Sequence, residues 1–203
     1  MYLHRMFRNL FLVGCFVFNK QPIFADAFKD SLPTFKNVFA YKVQDVGLRK
    51  NIHIRLKNKT LSLFVFLSPE CPLCQNYTKT LNQLQDQFKE NVKVVGVVPG
   101  AAYSVFDLVA FVKKYHTVFT IVIDKQQLFT KYLQATVTPQ VILIDSIGNL
   151  VYKGAIDDWV TGLGKKKEKV TIHYAADAIT QYLQLLPVII KYTKPYGCKI
   201  NDL

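Results

Sequence analysis

Leu61-Ser62-Leu63-Phe64-Val65-Phe66-Leu67 is a run of seven residues without a charge, relieved by a single hydroxyl. A strand that faces water on one side alternates apolar and polar residues, so a near-continuous run of this length reads as a strand buried on both faces, as in a parallel sheet covered by helices. The chain then breaks at Ser68-Pro69-Glu70. From Pro72 to Glu90, Tyr77, Leu81, Leu84 and Phe88 recur at the three-to-four spacing of a helix with one buried face. Two cysteines, Cys71 and Cys74, therefore stand where a buried strand hands over to a helix.

The alternation continues downstream. Val92–Val98 reads as a strand, Pro99-Gly100 as its break, Ser104–Tyr115 as a helix, Thr120–Ile123 as a strand and Gln126–Tyr132 as a short helix. The style then changes: Gln140–Ile144 and Leu150–Lys153 flank the turn-rich Asp145-Ser146-Ile147-Gly148-Asn149, which predicts an antiparallel hairpin. A last helix near Ala175–Leu186 would present Ile179, Tyr182 and Leu186 on one side. The chain shows no repeats and no low-complexity linker. Its 203 residues, 50% of them hydrophobic, suit one domain with a sizeable core.

The first 25 residues have the composition of an export signal. Arg5 and Arg8 precede the apolar stretch Leu10–Phe18, too short to span a bilayer comfortably, and small residues follow at Ala25 and Ala27. The expected organisation is thus a signal over 1–25 and one domain over 26–203, with the product periplasmic or otherwise extracytoplasmic, where disulfides persist. Leu12-Val13-Gly14-Cys15 resembles a lipoprotein signal, so lipid anchoring through Cys15 is the minor alternative. Cleavage would remove three basic residues and no acidic one, leaving a net charge of about +9. The remaining lysines are spread along the chain and only Arg49 and Arg55 persist, which argues against a nucleic-acid partner. Weak attraction to an anionic membrane surface is compatible with that charge. Lys165-Lys166-Lys167-Glu168-Lys169 is expected to be a solvated loop.

Cys-x-x-Cys occurs as a metal clip, a structural staple or a redox centre, and the spacing alone leaves these open. Zinc calls for a second ligand pair, whereas His53, His116, His173 and Cys198 are scattered. The order β-α-β-α-β, hairpin, helix, together with Cys71-Pro72, Thr138-Pro139, Tyr152-Lys153-Gly154-Ala155-Ile156-Asp157-Asp158 and Gly197-Cys198-Lys199-Ile200, resembles secreted bacterial redoxin-domain proteins of the thioredoxin-like superfamily. The resemblance covers most of the mature chain. It implies a thioredoxin-like α/β fold, with a central mixed sheet flanked by helices and one inserted helix. It implies a thiol:disulfide oxidoreductase that needs no cofactor or metal, works on protein thiols and disulfides with a thiol electron donor, and is a monomer.

Under that resemblance each residue has a role that its chemistry suits. A cysteine at a helix N-terminus has its thiolate favoured by unpaired backbone N–H groups and the helix dipole, and Cys71 holds that place. Pro72 fits the first helical position, and Cys74, one turn on, can resolve a mixed disulfide on Cys71. Thr138 and a cis Pro139 would expose backbone to an extended substrate; without the resemblance, a cis bond would be expected in only about 5–6% of X-Pro cases. Glu70 is either a carboxylate that opposes the Cys71 thiolate or a solvent-facing loop acid. Cys198 is an odd third cysteine: a free thiol, a partner for another chain or an additional redox group. The local pair is expected to outcompete it, because the terminal segment would have to be brought in and ordered.

Two alternatives share the fold. A peroxiredoxin-like peroxidase keeps the reactive cysteine, and Ser68 matches its pattern, but Phe64 stands where that pattern has proline and no arginine follows Arg55. A Sco-type copper carrier also uses two cysteines and a distal histidine, though at wider spacing, and Pro139 would tend to cover the metal position. Asp157, Asp158 and Trp159 carry no evident chemistry, so turn formation and packing are expected of them.

Overall fold

In the computed structural model, which describes residues 33–55 and 60–200, the apolar run is an interior strand of a seven-stranded sheet. Its elements in chain order are β1 (Lys42–Asp45), β2 (Lys50–His53), β3 (Leu61–Phe66), α1 (Pro72–Gln87), β4 (Val92–Pro99), α2 (Val105–Tyr115), β5 (Thr120–Asp124) and α3 (Leu128–Tyr132). Then follow β6 (Val137–Thr138), β7 (Gln140–Asp145), β8 (Leu150–Gly154), β9 (Val160–Gly162), β10 (Lys165–Lys166), α4 (Tyr174–Leu183) and β11 (Cys198–Lys199). The sheet order is β2-β1-β5-β4-β3-β7-β8. β3, β4 and β5 run parallel, and the flanking pairs are antiparallel. This is the expected mixed thioredoxin-like sheet flanked by helices. The described residues belong to one compact unit, Leu32–Leu203.

Every residue of β3 is buried, and the two-residue period of a strand divides them between two cores. Leu61, Leu63 and Val65 pack with residues of α1, α2 and α4, while Phe64 and Phe66 pack with Phe129 of α3 and Val38. Helix α1 buries Cys74, Tyr77, Leu81 and Leu84 on the face that the spacing predicts. The Asp145–Asn149 connector closes as expected: the Asp145 carboxylate accepts from the backbone of Ile147 and Asn149 at 3.0 and 2.8 Å. Gly148 there has φ +92° and sits so close to Phe35 that a Cβ would lie 2.6 Å from its carbonyl oxygen.

Several expectations need correction. Helix α4 ends at Leu183, so Ile179 is buried but Leu186 is 54% exposed beyond the helix and does not share its inner face. Leu185, with φ +58°, takes the chain out of helical geometry. The lysine run is not simply a solvated loop. Lys165–Lys166 pairs with β9, and the Lys167 ammonium bonds the buried carboxylate of Asp158. The β1–β2 hairpin at the sheet edge has no counterpart among the sequence expectations. Only one side of β1 is buried, through Val43 and Asp45, and β2 is mostly exposed. The expected signal over 1–25, with Cys15, lies outside the described residues.

Candidate functional site

The site begins where β3 gives way to α1. The Leu67 N–H still donates to the Val97 carbonyl at 2.8 Å, extending the parallel pairing, and the Cys71 N–H then donates to the Ser68 carbonyl at 3.1 Å to turn the chain. Cys71 is the extended N-cap of α1, with Pro72 immediately inside the helix, and its carbonyl accepts the Gln75 N–H at 3.1 Å. Cys74 is fully buried one turn along. Its sulfur accepts the Ser68 N–H at 3.4 Å, which ties the second cysteine to the turn that presents the first.

Strand β6 faces this turn from the other side. The Thr138–Pro139 bond is cis, and the Cys71 thiol donates to the Thr138 carbonyl at 3.3 Å. The tail, 127 residues away in sequence, completes the cluster: Cys198 Sγ lies 2.8 Å from Cys71 Sγ. β11 pairs antiparallel with β6, Cys198 opposite Thr138 and Lys199 opposite Val137. The expectation that this segment would first have to be ordered therefore does not hold, because backbone pairing already holds it over the cysteines. Cys198 is exposed, whereas Cys71 is only 2% exposed. A cleft of about 490 Å³ opens beside the tail, with Ser68, Tyr103, Gln127 and Cys198 among its lining residues.

The three thiols have separate electrostatic characters. Cys71 is lowered to about 4, chiefly because the Cys74 thiol donates to its thiolate; burial opposes this, and a bond from Cys198 adds to it. Cys74 is raised well above the ordinary thiol value by burial and by the neighbouring Cys71 charge. Cys198 is pushed up to about 11 by burial first and then by Cys71. Glu70 is exposed, as the solvent-facing reading has it, and the donors around Cys71 prevail there over burial.

A second circuit braces the cysteine helix from behind. The Tyr77 hydroxyl donates to buried Asp157 at 2.6 Å, Asp157 accepts the Trp159 N–H at 2.9 Å, and the Tyr77 and Trp159 rings meet edge to face at 5.4 Å. Asp158 accepts the Thr171 N–H at 2.8 Å. Burial would raise its pKa, but the Lys167 ammonium and the Thr171 donors hold the carboxyl below the usual range. The Asp157–Trp159 segment thus has the turn and packing role expected of it. Its anchoring of Tyr77 is not readable from spacing, since the partners lie 80 residues apart. His53, His116 and His173 sit on separate elements, and among the described residues no group of three or more His, Cys, Asp or Glu side chains is arranged to hold a metal ion.

A family model described as Redoxin matches residues 28–170. Among solved structures, a hypothetical protein of Sinorhizobium meliloti 1021 is similar at 25% identity and TM-score 0.70, over 79% of this chain and 89% of that one. An uncharacterized conserved protein of Geobacillus kaustophilus aligns at 20% identity and TM-score 0.69, over 79% and 87%. The bacterioferritin comigratory protein of Xanthomonas campestris, described by its alkyl peroxide reduction activity, aligns at 18% and 0.53, over 76% and 95%. The last two likenesses are of fold. No curated protein matches the chain.

Proposed function

The chain belongs to the redoxin family and is a thioredoxin-like oxidoreductase, and on that premise we propose that it is an exported thiol:disulfide oxidoreductase in which Cys71 attacks and Cys74 resolves. The observation that carries this is the contrast within one helical turn: a thiolate-prone Cys71 at the α1 N-cap beside a buried Cys74 that holds its proton. The Cys71 thiolate attacks one sulfur of a substrate disulfide, a mixed disulfide forms, and the first substrate thiolate leaves. Cys74 then gives up its proton and attacks Cys71 Sγ. The second substrate thiolate leaves and takes up the proton, so substrate is reduced and the Cys71–Cys74 pair is oxidised. The reverse sequence oxidises a dithiol.

Stabilising the Cys71 thiolate stabilises the reduced protein, which draws the couple from the thioredoxin end of the scale, about −270 mV, toward the DsbA end, about −120 mV. Thr138 and Pro139 form the docking edge for an extended protein substrate in this proposal, supported by the nearness of the Thr138 carbonyl to Cys71. Export rests on the composition of residues 1–25. The experiment is trapping in a Cys198→Ser background, which removes the other thiol close to Cys71: there Cys74→Ser should accumulate mixed disulfides with partner proteins and Cys71→Ser should trap none. Equal trapping by both variants would remove the assignment.

Peroxidase turnover on the same Cys71 is the second reading, favoured by Ser68 three residues before the cysteine. It lacks an evident cation to polarise peroxide, since no arginine follows Arg55. Hydrogen peroxide consumption with a thiol donor, set against insulin-disulfide reduction by the same preparation, separates the two.

A further inference from the structure

The edge on which a substrate strand would dock is already filled by the chain's own tail. Thr193 anchors the incoming segment, its N–H donating to the Lys153 carbonyl at 3.1 Å and its hydroxyl accepting the Ala155 N–H at 2.9 Å. Beyond it, Cys198 and Lys199 pair with β6, and the Ile200 N–H donates to the Thr136 carbonyl at 3.0 Å, so backbone pairing continues along residues 136 to 138. Gly197 fits where nothing larger can: a Cβ there would lie 2.1 Å from the Thr138 carbonyl oxygen and 2.6 Å from its carbon. The tail therefore approaches the active-site edge in extended antiparallel form with a cysteine facing the nucleophile, as an extended substrate would.

We propose that Cys198 is a third redox cysteine, docked on the β6 edge as an internal substrate, that exchanges with the Cys71–Cys74 disulfide. The proposal rests on Cys71 and Cys74 being the exchanging pair. Cys198 loses its proton and attacks Cys71 Sγ. The Cys71–Cys74 bond breaks, a Cys71–Cys198 bond forms, and Cys74 leaves as a thiolate that takes up a proton, with no net oxidation or reduction.

The exchange moves the disulfide outward, from a fully buried sulfur to an exposed one. A thiol reductant arriving at the surface then finds Cys198 Sγ accessible, and attack there expels Cys71, the better leaving group of the two. While the Cys71–Cys198 bond lasts, the docking edge is closed to other substrates. Release of the tail reopens it.

Oxidised glutathione serves as the test oxidant, with acid quenching, alkylation and peptide mass mapping of the full chain. In Cys74→Ser the expected product is an intramolecular Cys71–Cys198 disulfide in monomeric protein. In oxidised wild type this linkage should coexist with Cys71–Cys74. Adding Gly197→Ala to Cys74→Ser should lift the tail from β6 and reduce it to a loose tether, slowing the linkage at least about tenfold and leaving glutathione on Cys71. Gly197→Ala in the otherwise native chain should still form Cys71–Cys74. Three results would overturn the proposal: Cys198 remaining alkylatable in oxidised Cys74→Ser, a Cys71–Cys198 bond joining two chains, or a yield indifferent to Gly197→Ala. Absence of Cys71–Cys74 in every oxidised sample would instead strike at the exchanging pair itself, and the internal exchange would fall with it.

Discussion

Replacing Cys74 by alanine should raise the pKa of Cys71 more than any other single change at the site. The Cys74 thiol supplies the largest contribution to holding Cys71 at about 4. A hydrogen bond to a charged group contributes about 1.5–3 kcal/mol, and one pKa unit corresponds to about 1.36 kcal/mol, so its loss should move Cys71 upward by about one to two units. The Cys74→Ala variant should therefore titrate between about 5 and 6. Cys74→Ser retains a hydroxyl donor and should shift less. The assay is ultraviolet thiolate absorbance against pH, with Cys71→Ser as the blank, which needs no reagent to reach a sulfur that is nearly inaccessible to solvent. The reasoning fails if both Cys74 variants titrate with the wild type, or if the wild-type thiolate appears only near the ordinary thiol value of about 8.5.

The depressed Cys71 value also sets a stability profile for the reduced protein. Its contribution is complete above the unfolded value of about 8.5 and is lost as pH falls through about 4, whereas that of Cys198, raised to about 11, is complete below about 8.5 and is lost as pH rises through about 11. Denaturant midpoints of the reduced wild type, compared with Cys71→Ser, should therefore show an advantage that grows from pH 4 to 8; a flat difference would contradict it. Tyr77→Phe removes the donor to buried Asp157 and should cost about 1–3 kcal/mol in equilibrium denaturation, with a wild-type midpoint as the contrary result. Gly148→Ala combines a left-handed backbone with a contact to Phe35 that a Cβ cannot share, so thermal unfolding should move to lower temperature and the β7–β8 turn should lose hydrogen-exchange protection.

Sequence alone carried the parts of this protein that neighbouring residues specify to one another. The buried run of β3, the helical spacing of Tyr77, Leu81 and Leu84 and the Asp145–Asn149 turn are local patterns, and Cys71 stands immediately before the helical one. Cys71 and Cys74 were legible for that reason, and Pro139 through the motif around it. Tertiary structure alone decided what meets them. β6 and β11 have two residues each, too few to show a period, and their pairing depends on the path taken by the 59 residues between Thr138 and Cys198. The Tyr77–Asp157 bond has the same dependence, as does the N–H that Ser68 gives to Cys74 once the turn has closed. A terminal cysteine read along the chain is a remote thiol that must be recruited. In the fold, strand pairing has already met that ordering cost, and Cys198 stands against Cys71.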